Sequence, residues 1–348
     1  MLNVGIVGCG TIARKRHAVE YNNNSNVIIK GFYDRTSARA KEMTELYGGS
    51  VYETVEEMLE DPTIDAVSVC VANALHAPIT IQALNKGKHV LCEKPMAITL
   101  EECEAMVDAS VKNNKKLLIG HNQRLNAAHV KAREIIASGQ MGKVLSFQST
   151  FGHKGPELWS IAQSSNTWFF KKDAAVFGSM ADLGIHKIDL LCYLLEDKVV
   201  EVFSKFITLD KRFPNGDLIE VDDNSFELLT FEKGAMGSVT TSWTHYGKEA
   251  NSTVLYCQNG IIRLFDDPLY SLDIVNADGT KIHYELEAMQ TNDDHQQINS
   301  GVIDTFVDGA INKKRTVLDA ELILESMRVV FACKESAEKG KEIRILRV

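Results

Sequence analysis

The feature that most constrains the fold of this chain is a glycine-rich turn at residues 8–13, between a short apolar run and a helical stretch. Residues 3–8 have the apolar pattern of a short buried strand, and the next residues complete the pattern G-x-G-x-x-A. Gly8 and Gly10 permit a tight turn and a close approach of the backbone to a pyrophosphate, whose charge the N-terminus of the following helix stabilises. Taken alone the motif is weak evidence, because glycine-rich turns that bind nothing are common.

A second apolar run supplies the context that the motif needs. Val27–Tyr33 has a strand pattern and ends at Asp34, about 20 residues beyond the glycines, where dinucleotide-binding folds place the acid that binds the ribose. We therefore predict a dinucleotide site. The Asp34 carboxylate would accept hydrogen bonds from the ribose hydroxyls and repel a 2′-phosphate, which favours NAD over NADP. Arg35 leaves NADP open, because a guanidinium in this position can bind that phosphate.

Strand and helix patterns keep alternating up to residue 120, which predicts a doubly wound parallel sheet. Such sheets bind ligands at the carboxyl ends of their strands. One buried run ends in the loop 72–76, so Ala72, Asn73 and His76 are candidates for contact with a cofactor or a substrate. His76 has an equally good alternative, since it can simply begin a helix before Pro78.

Another buried run passes directly into Glu93-Lys94-Pro95. The triplet places Lys94 at the same edge of the sheet as the glycine-rich turn, where a lysine can meet both a cofactor and a substrate. For an isolated triplet of this kind, a surface lysine in a loop would be the ordinary explanation. Its position among the other motifs favours a functional one.

The pattern changes after His121 and predicts a second domain. A helix at about 126–138 and a strand at about 144–151 precede an aromatic-rich stretch, 152–177, that lacks clean periodicity. Loops of this length are usually functional or disordered, and the aromatic side chains favour an ordered pocket wall. Seven apolar or alternating runs between 199 and 286 predict strands, with hairpin turns at Asn259-Gly260 and Asp278-Gly279.

Helices are expected at about 296–312 and 318–339, followed by a last strand at 343–346. The predicted fold class is therefore α/β: a Rossmann-type parallel sheet in residues 1–122, and an α+β domain in residues 123–348 with a large, mostly antiparallel, open-faced sheet. Packing of the final helix against the first domain is compatible with this arrangement. The length of 348 residues suits two domains of this size.

Asp182 and His186, four residues apart in an apolar helical stretch, form the other pair that can carry chemistry. On a helix they would share one face. The pair alone is compatible with a surface hydrogen bond, with two ligands of a metal site, or with an acid/base histidine oriented by a carboxylate. No third ligand is apparent nearby in the sequence, so a metal site is the least supported of the three.

Composition limits the class of protein. The net charge of −9 argues against nucleic acid as the main partner, and no apolar run approaches the length that crosses a bilayer. The seven cysteines contain no C-x-x-C pair and read as reduced core residues. The first strand begins by Asn3 and leaves no room for a signal peptide. We expect a cytoplasmic protein without a membrane partner.

Three motifs follow one another along the chain: Gly8-x-Gly10-x-x-Ala13, Glu93-Lys94-Pro95 and Asp182-x-x-x-His186. With these motifs in this order, the chain resembles the glucose-fructose oxidoreductase / inositol dehydrogenase / rhizopine catabolism family over essentially its whole length. The resemblance implies that Lys94, Asp182 and His186 form the catalytic group, that the bond before Pro95 is cis, and that Gln123 and Trp168 lie near the cofactor. The residues then expected to bind the cofactor are Gly8, Gly10, Thr11, Ile12, Ala13, Asp34, Arg35, Ala72, Asn73, His76, Glu93, Lys94, Gln123 and Trp168.

The resemblance further implies hydride transfer between a nicotinamide and a carbinol carbon of a sugar, polyol or cyclitol. Since no third ligand is apparent near Asp182 and His186 in the sequence, we expect no metal. His186 would act as the base, Asp182 would fix its tautomer, and Lys94 would hold the substrate oxygen or relay the proton. His153, Trp159 and His245 are further candidates for the pocket, with a purely structural role equally open. Dimers or tetramers formed through the second sheet are expected.

Two other activities occur among proteins of this kind. Some use a tightly held NAD to hydrolyse glycosides by transient oxidation and elimination, and others have lost catalysis and act as regulators that respond to NAD or sugars. The presence of all three catalytic candidates argues against the regulator. A cofactor that survives gel filtration without net formation of NADH would indicate the glycosidase.

Overall fold

The structure is a computed structural model and describes residues 1–161, 163–286 and 299–346. Its first half contains a six-stranded, wholly parallel sheet with the order β3-β2-β1-β4-β5-β6. This is the doubly wound order of dinucleotide-binding folds, and the order reverses between β1 and β4, where such sheets bind ligands. The strands are β1 (Leu2–Val7), β2 (Val27–Tyr33), β3 (Ser50–Val51), β4 (Ala66–Val69), β5 (His89–Cys92) and β6 (Leu117–Ile119).

Helices connect these strands and cover both faces of the sheet. They are α1 (Ala18–Asn23), α2 (Ser37–Tyr47), α3 (Val55–Glu60), α4 (His76–Asn85) and α5 (Leu100–Asn113). A π-helical turn, Ala13–His17, leads into α1 directly. At the start of α5 the Thr99 side chain accepts a hydrogen bond from the Glu102 amide, which fixes where the helix begins.

The second half is built on a nine-stranded sheet with the order β14-β13-β12-β11-β7-β10-β9-β8-β15. Within this sheet, only the pairing of β7 with β10 is parallel among the described strands, so the sheet is mostly antiparallel, as the sequence predicts. The strands are β7 (Val144–Gly152), β8 (Val199–Ile207), β9 (Asn224–Phe231), β10 (Met236–Ser242), β11 (Ala250–Cys257), β12 (Gly260–Leu264), β13 (Leu272–Asn276), β14 (Lys281–Tyr284) and β15 (Ile343–Arg344).

One face of this sheet is covered by helices and the other is open. The helices of the second half are α6 (Ala127–Ala137), α7 (Pro156–Trp159), α8 (Lys172–Ala175), α9 (Ile185–Leu195), α10 (Val302–Asn312) and α11 (Ala320–Lys339). Helices α6, α9 and α11 pack on the covered face. On the open face Phe203, Phe226, Leu228 and Met236 are each 43–53% exposed.

The last two helices return to the first half. Helix α10 packs against α1, and its apolar side chains join the core around β1 and β2. Helix α11 contacts α5 and β6 as well as β8 and α9, so it lies between the two sheets. Residues 296–298 of the helix expected at 296–312 lie outside the described residues. The boundary at 122/123 stays a prediction.

No described helix combines the length and the apolar character needed to cross a bilayer.

Candidate active site

A cleft of about 1170 Å³ opens at the carboxyl edge of the parallel sheet and extends towards the second half. It exceeds the about 300–1,000 Å³ typical of small-molecule sites, so it has room for a dinucleotide and a substrate together. Of the residues expected in the catalytic group or at the cofactor, only Ala13 does not line it. Ala13 is buried in the core instead, because the third small residue of the motif serves close packing of helix on strand.

The glycine-rich turn has the geometry that a pyrophosphate requires. Gly8 has a φ of +94°, and a Cβ on it would lie 2.4 Å from the Cys70 carbonyl oxygen, so no other residue fits there. A Cβ on Gly10 would meet nothing within 4 Å, because this residue faces the cleft. The backbone at Gly10 is therefore open to a ligand, and the turn fits the phosphates of NAD.

Asp34 stands at the end of β2 and braces the same turn. One carboxylate oxygen accepts a hydrogen bond of 2.8 Å from the Cys9 amide, and the other accepts one of 2.8 Å from the Thr36 amide. A carboxylate can accept about four hydrogen bonds, so capacity for the ribose hydroxyls remains. Arg35 and Arg39 line the cleft beside it.

Two side chains at the loop after β4, Asn73 and His76, form hydrogen bonds with backbone carbonyl oxygens of the protein. Asn73 donates to the Ala175 carbonyl oxygen at 3.1 Å and so ties the loop to α8. His76 begins α4, and its two ring nitrogens face the carbonyl oxygens of Pro95 and Val71 at 2.7 and 3.2 Å. Burial lowers the pKa of His76. The ring therefore braces two loops, which favours the structural alternative for this histidine.

Glu93 is buried against the first helix. Burial raises the pKa of its carboxyl group, but the interactions with His17, together with the charges of Arg16 and Lys94, outweigh that effect and lower the pKa to about 2. The His17 Nε2 to Glu93 Oε1 distance is 2.8 Å, and the other His17 nitrogen lies 3.1 Å from the Ser68 hydroxyl. Glu93 thus anchors the β5 end to the segment that follows the glycine-rich turn.

Lys94 extends from that anchor across the cleft to Asp182. Its ammonium donates to the Asp182 carbonyl oxygen at 2.8 Å and to Oδ1 at 3.1 Å. The Lys94–Pro95 peptide bond is cis, as the resemblance implies. Burial raises the pKa of the Asp182 carboxyl, but the charge of Lys94, together with the interactions with His153, outweighs burial and lowers this pKa. The carboxyl is therefore ionised, and it holds the lysine in place.

The other oxygen of Asp182 faces the second half of the chain. Oδ2 accepts a hydrogen bond of 3.0 Å from Trp243 Nε1, and His153 Nε2 lies 3.5 Å away. Within the described residues none of the hydrogen bonds of Asp182 reaches His186. The prediction that Asp182 fixes the tautomer of His186 is therefore wrong, because the carboxylate is committed to Lys94 and Trp243.

The backbone departs from an α-helix at Asp182. This residue lies in a π-helical turn, Met180–Gly184, which runs into α9 at Ile185. A π turn closes hydrogen bonds between residues five apart, whereas an α-helix closes them between residues four apart. The side chains of Asp182 and His186 still line the same cleft.

His186 lies in the first turn of α9 and lines the cleft. Its ring is packed between Phe151 and His121, with centroid distances of 6.0 Å to each. Burial lowers the pKa of His186 well below its usual value, and the nearby Lys94 charge lowers it further. The imidazole is therefore neutral near pH 7 and can accept a proton.

The aromatic-rich stretch forms a wall of the cleft, as expected. Trp168 stacks on Phe169 with ring centroids 3.9 Å apart, and Trp159 packs edge-on against Phe169. Trp159 lines the cleft, whereas His153 lies behind Asp182. His245 packs directly on Gly152, since a Cβ there would lie 2.1 Å from the ring.

Gln123 is buried in the turn that follows β6 and lines the cleft. Among the described residues no group of three or more His, Cys, Asp and Glu side chains could hold a metal ion.

The sequence did not identify Trp243 or His121. Trp243 is separated from Asp182 by 61 positions, and no spacing rule connects them. His121 follows the last parallel strand in the same way that Lys94 follows β5, and this position was the signal available for it.

Comparison with known proteins agrees with this geometry. Residues 2–121 match a family model described as "Oxidoreductase family, NAD-binding Rossmann fold", and residues 129–263 match the "GFO/IDH/MocA C-terminal domain". The two ranges together cover more than half of the chain. Both are expected from the motifs of the two halves.

Curated relatives are similar to the chain over different extents. It is 33% identical to the glucose-6-phosphate 3-dehydrogenase of Bacillus subtilis over 58% of this chain, and the match spans 55% of that enzyme. It is 27% identical to the D-glucoside 3-dehydrogenase of Escherichia coli over 99% of this chain and 97% of that enzyme.

A solved structure has the same overall fold. The aldose-aldose oxidoreductase from Caulobacter crescentus, complexed with glycerol, superposes with a TM-score of 0.83 and 25% identity over 99% of each chain.

Proposed function

Because the chain belongs to the Gfo/Idh/MocA family of NAD-binding oxidoreductases, we propose that it transfers a hydride between NAD and a ring carbon of a sugar or cyclitol. The observation that carries the proposal is the Lys94–Asp182 ion pair at 3.1 Å, beside a neutral His186 in one cleft with the glycine-rich turn. A carbinol oxygen that meets both Lys94 and His186 is activated for oxidation.

The proposed mechanism assigns one task to each residue. When bound, NAD supplies the hydride acceptor at its nicotinamide ring. The His186 imidazole accepts the hydroxyl proton. The Lys94 ammonium donates a hydrogen bond to the same oxygen and stabilises the charge that develops on it. Asp182 holds the ammonium in position by accepting its hydrogen bond of 3.1 Å, and Trp243 holds the Asp182 carboxylate by donating to it at 3.0 Å.

The substrate class follows from the wall of the cleft and from the relatives. Trp159 and Phe151 offer aromatic faces to a sugar ring, while Asn166 and Glu249 offer polar groups to its hydroxyls. Both relatives described above are named as 3-dehydrogenases of glucose derivatives. We propose a secondary hydroxyl of a glucose-like ring as the reacting group.

A substrate panel tests this function. Glucose, glucose 6-phosphate, glucosides and inositols are incubated with NAD, and their keto forms with NADH, and the change in NADH absorbance is followed. Turnover of at least one compound by the parent and its loss in His186→Ala are expected. No turnover by any compound, although NADH binds, would refute the proposal.

We also propose a homo-oligomer formed through the open sheet face. The four exposed apolar side chains Phe203, Phe226, Leu228 and Met236 lie on adjacent strands, and a monomer rarely leaves such a group in water. A dimer or tetramer would bury them. We propose the cytoplasm as the compartment, since all seven cysteines are free thiols, as a reducing environment keeps them.

A further inference from the structure

The side chain behind His186 is a second histidine. His121 follows β6, is 1% exposed, and packs edge-on against His186 with ring centroids 6.0 Å apart and planes at 73°. Nothing in the proposed reaction uses it. Because it lies between His186 and a buried ion pair, the ring nitrogen of His121 that carries the hydrogen can be identified.

That ion pair fixes the far side of the His121 ring. His121 Nδ1 lies 3.3 Å from Asp189 Oδ2. Asp189 in turn accepts two hydrogen bonds of 2.7 Å from Arg124 and one of 2.7 Å from the Ser326 hydroxyl. An ionised carboxylate only accepts, so His121 Nδ1 carries the hydrogen. Burial lowers the pKa of His121 to about 4, and its Nε2 is then a bare acceptor at neutral pH.

Each of the two neighbouring rings has one unpaired nitrogen, and these two nitrogens are complementary. His121 Nε2 and His186 Nδ1 are both buried, and neither has a hydrogen-bond partner within the described residues. If His186 is the base, the nitrogen that faces the cleft must be bare, so its buried Nδ1 must carry the hydrogen. A buried donor without an acceptor and a buried acceptor without a donor therefore occupy neighbouring rings. Leaving both unpaired would be costly.

We propose that His121 is a positioning residue for His186. Its Nε2 accepts a hydrogen bond from His186 Nδ1, directly or through one water, while its own Nδ1–H is directed at the Asp189 carboxylate. The inference rests on the proposed function, in which His186 is the base. His121 thus fixes the tautomer of His186, which Asp182 does not do because its carboxylate is bonded to Lys94 and Trp243.

The arrangement has a chemical purpose. The groups whose charges act on His186 come from four segments. They are Lys94 at the end of β5, Arg16 in the π-helical turn 13–17, Asp182 in the π-helical turn 180–184 and His121 after β6. Lys94 and Arg16 both oppose the imidazolium that forms when His186 takes the substrate proton. A hydrogen bond from Nδ1 towards Asp189 becomes stronger in that charged state and stabilises it.

Three variants separate this role from packing. His121→Phe fills the site without an acceptor, whereas His121→Gln retains an amide oxygen in its place. His129→Phe is the matched control: this histidine is also buried, but its Nδ1 donates to the Gln123 carbonyl oxygen and its ring packs on Phe265. Binding of NADH to each variant verifies the fold independently of turnover.

Nuclear magnetic resonance of protein labelled with ¹⁵N-histidine gives the first measurement. With the His186 signals assigned by their loss in His186→Ala, His186 should carry its proton on Nδ1 in the parent, in His121→Gln and in His129→Phe. His121→Phe should shift the proton towards Nε2. A parent protein whose His186 is protonated on Nε2, or a tautomer that does not respond to His121→Phe, would overturn the inference.

Kinetics on the best substrate give the second measurement. His121→Phe should lower kcat/KM by roughly 10–100-fold, a part of what a general base contributes, with NADH affinity unchanged. The acidic limb of its pH profile should move to lower pH by about one unit, because the imidazolium loses its stabilising acceptor. His121→Gln should recover most of the activity. A His121→Phe profile that coincides with that of the parent would overturn the inference.

Failure of the two proposals can be told apart. If no sugar is turned over, the proposed function fails, and the tautomer of His186 still decides the inference about His121.

Discussion

Lys94 and His186 have different tasks in the proposed reaction, and substitutions distinguish them. His186→Ala removes the base, so kcat should fall by about 10²–10⁴ with NADH affinity unchanged. Lys94→Ala should lower kcat comparably and also raise KM for the sugar, because the ammonium contacts the substrate oxygen before and during hydride transfer. Steady-state kinetics and fluorescence titration with NADH measure these effects. His245→Ala, at a ring outside the cleft, is the control.

The double variant tests whether the two residues act as one unit. Its kcat should be little lower than that of the more damaging single variant, because residues that depend on each other have non-additive effects. Losses that multiply would show independent action. Near-parental turnover of His186→Ala would mean that His186 is structural, although the cofactor assignment would stand.

Asp34 should decide the choice of cofactor. Its carboxylate lies where the adenosine ribose is expected and braces the turn through the Cys9 amide at 2.8 Å. The parent should bind NADH more tightly than NADPH. Asp34→Ala should weaken the binding of NADH, because the acceptor for the ribose hydroxyls is lost. It should also narrow the difference in affinity between NADH and NADPH, because the carboxylate no longer repels a 2′-phosphate.

The control for this prediction is Asp65→Ala. Asp65 also accepts a backbone hydrogen bond, from Asn3 at 2.9 Å, but at the amino end of β1. It should leave both affinities unchanged. Tighter binding of NADPH than of NADH by the parent, unaffected by Asp34→Ala, would contradict the assignment.

Sequence patterns located most of the cleft at the level of single residues but not the partners within it. The ends of parallel strands meet at one edge, so Gly8, Asp34 and Lys94 could be placed together from their order alone. Whether Asp182 pairs with a lysine or with a histidine depends on distances of a few ångströms between separate elements. The residues that settle it, Lys94 and Trp243, lie far from Asp182 in sequence.

The segment that carries Asp182 and His186 depends on a buried carboxylate at its start. Asp222 accepts hydrogen bonds from the Gly178 amide, the Ser179 hydroxyl and the Met180 amide, all at 2.8–2.9 Å. Burial raises the pKa of this carboxyl to about 6. Its oxygens accept hydrogen bonds from backbone amides at the start of the π-helical turn, as the side chain of a helix cap does.

Asp222→Ala should therefore lower the free energy of unfolding by about 2–4 kcal/mol, because buried donors lose their acceptor. It should also lower kcat, since the turn that holds Asp182 loosens. Urea unfolding followed by circular dichroism, together with kinetics, measures both. Asp217→Ala, at an exposed carboxylate in the same loop, should change neither. Equal stabilities of Asp222→Ala and the parent would refute the role.

At the level of elements the sequence was a good guide where local signals are strong. The glycine-rich turn and the hairpin turn at Asn259-Gly260 predicted element boundaries to within a few residues. The π-helical turn at 180–184 was not predictable, because an aspartate and a histidine four residues apart have the same pattern in either kind of helix. Its geometry is imposed by packing and by Asp222.

The open sheet face gives a prediction for the whole molecule. Phe226 and Leu228 lie on β9, between β10 and β8, and are 44% and 53% exposed. Light scattering at micromolar concentration should show a dimer or tetramer, and the double substitution Phe226→Glu and Leu228→Glu should shift it towards the monomer, since like charges would face each other across the interface. Leu46→Glu, at an exposed leucine of α2, is the control. A monomeric parent would refute the proposal.

Stability of the whole molecule should fall as the pH drops below neutrality. Burial lowers the pKa of five histidines in the two halves: to about 4 for His89 and His121, to about 3 for His129, and in direction also for His76 and His186. Below pH 6.5 the unfolded chain binds protons at these sites that the folded chain does not, so folding is disfavoured as the pH falls towards the folded pKa values.

Two buried carboxyls oppose this trend. Burial raises the pKa of Asp222 to about 6 and that of Glu227 well above its usual value, so the folded state binds the extra proton there and gains stability as the pH falls. Five histidines act against two carboxyls, and each group changes stability by roughly 1.4 kcal/mol per pH unit within its own window. The net effect is loss of stability from about pH 6.5 downwards.

His129→Phe tests the sign, since it removes one of the five groups without touching the cleft. Urea unfolding between about pH 5 and 7.5 should give a slope of stability against pH that is smaller than that of the parent by roughly 1.4 kcal/mol per unit. Phe265→Leu, a packing change beside His129 that removes no titratable group, should shift the curve without altering its slope. Equal slopes in His129→Phe and the parent would show that this histidine is not held neutral by its burial.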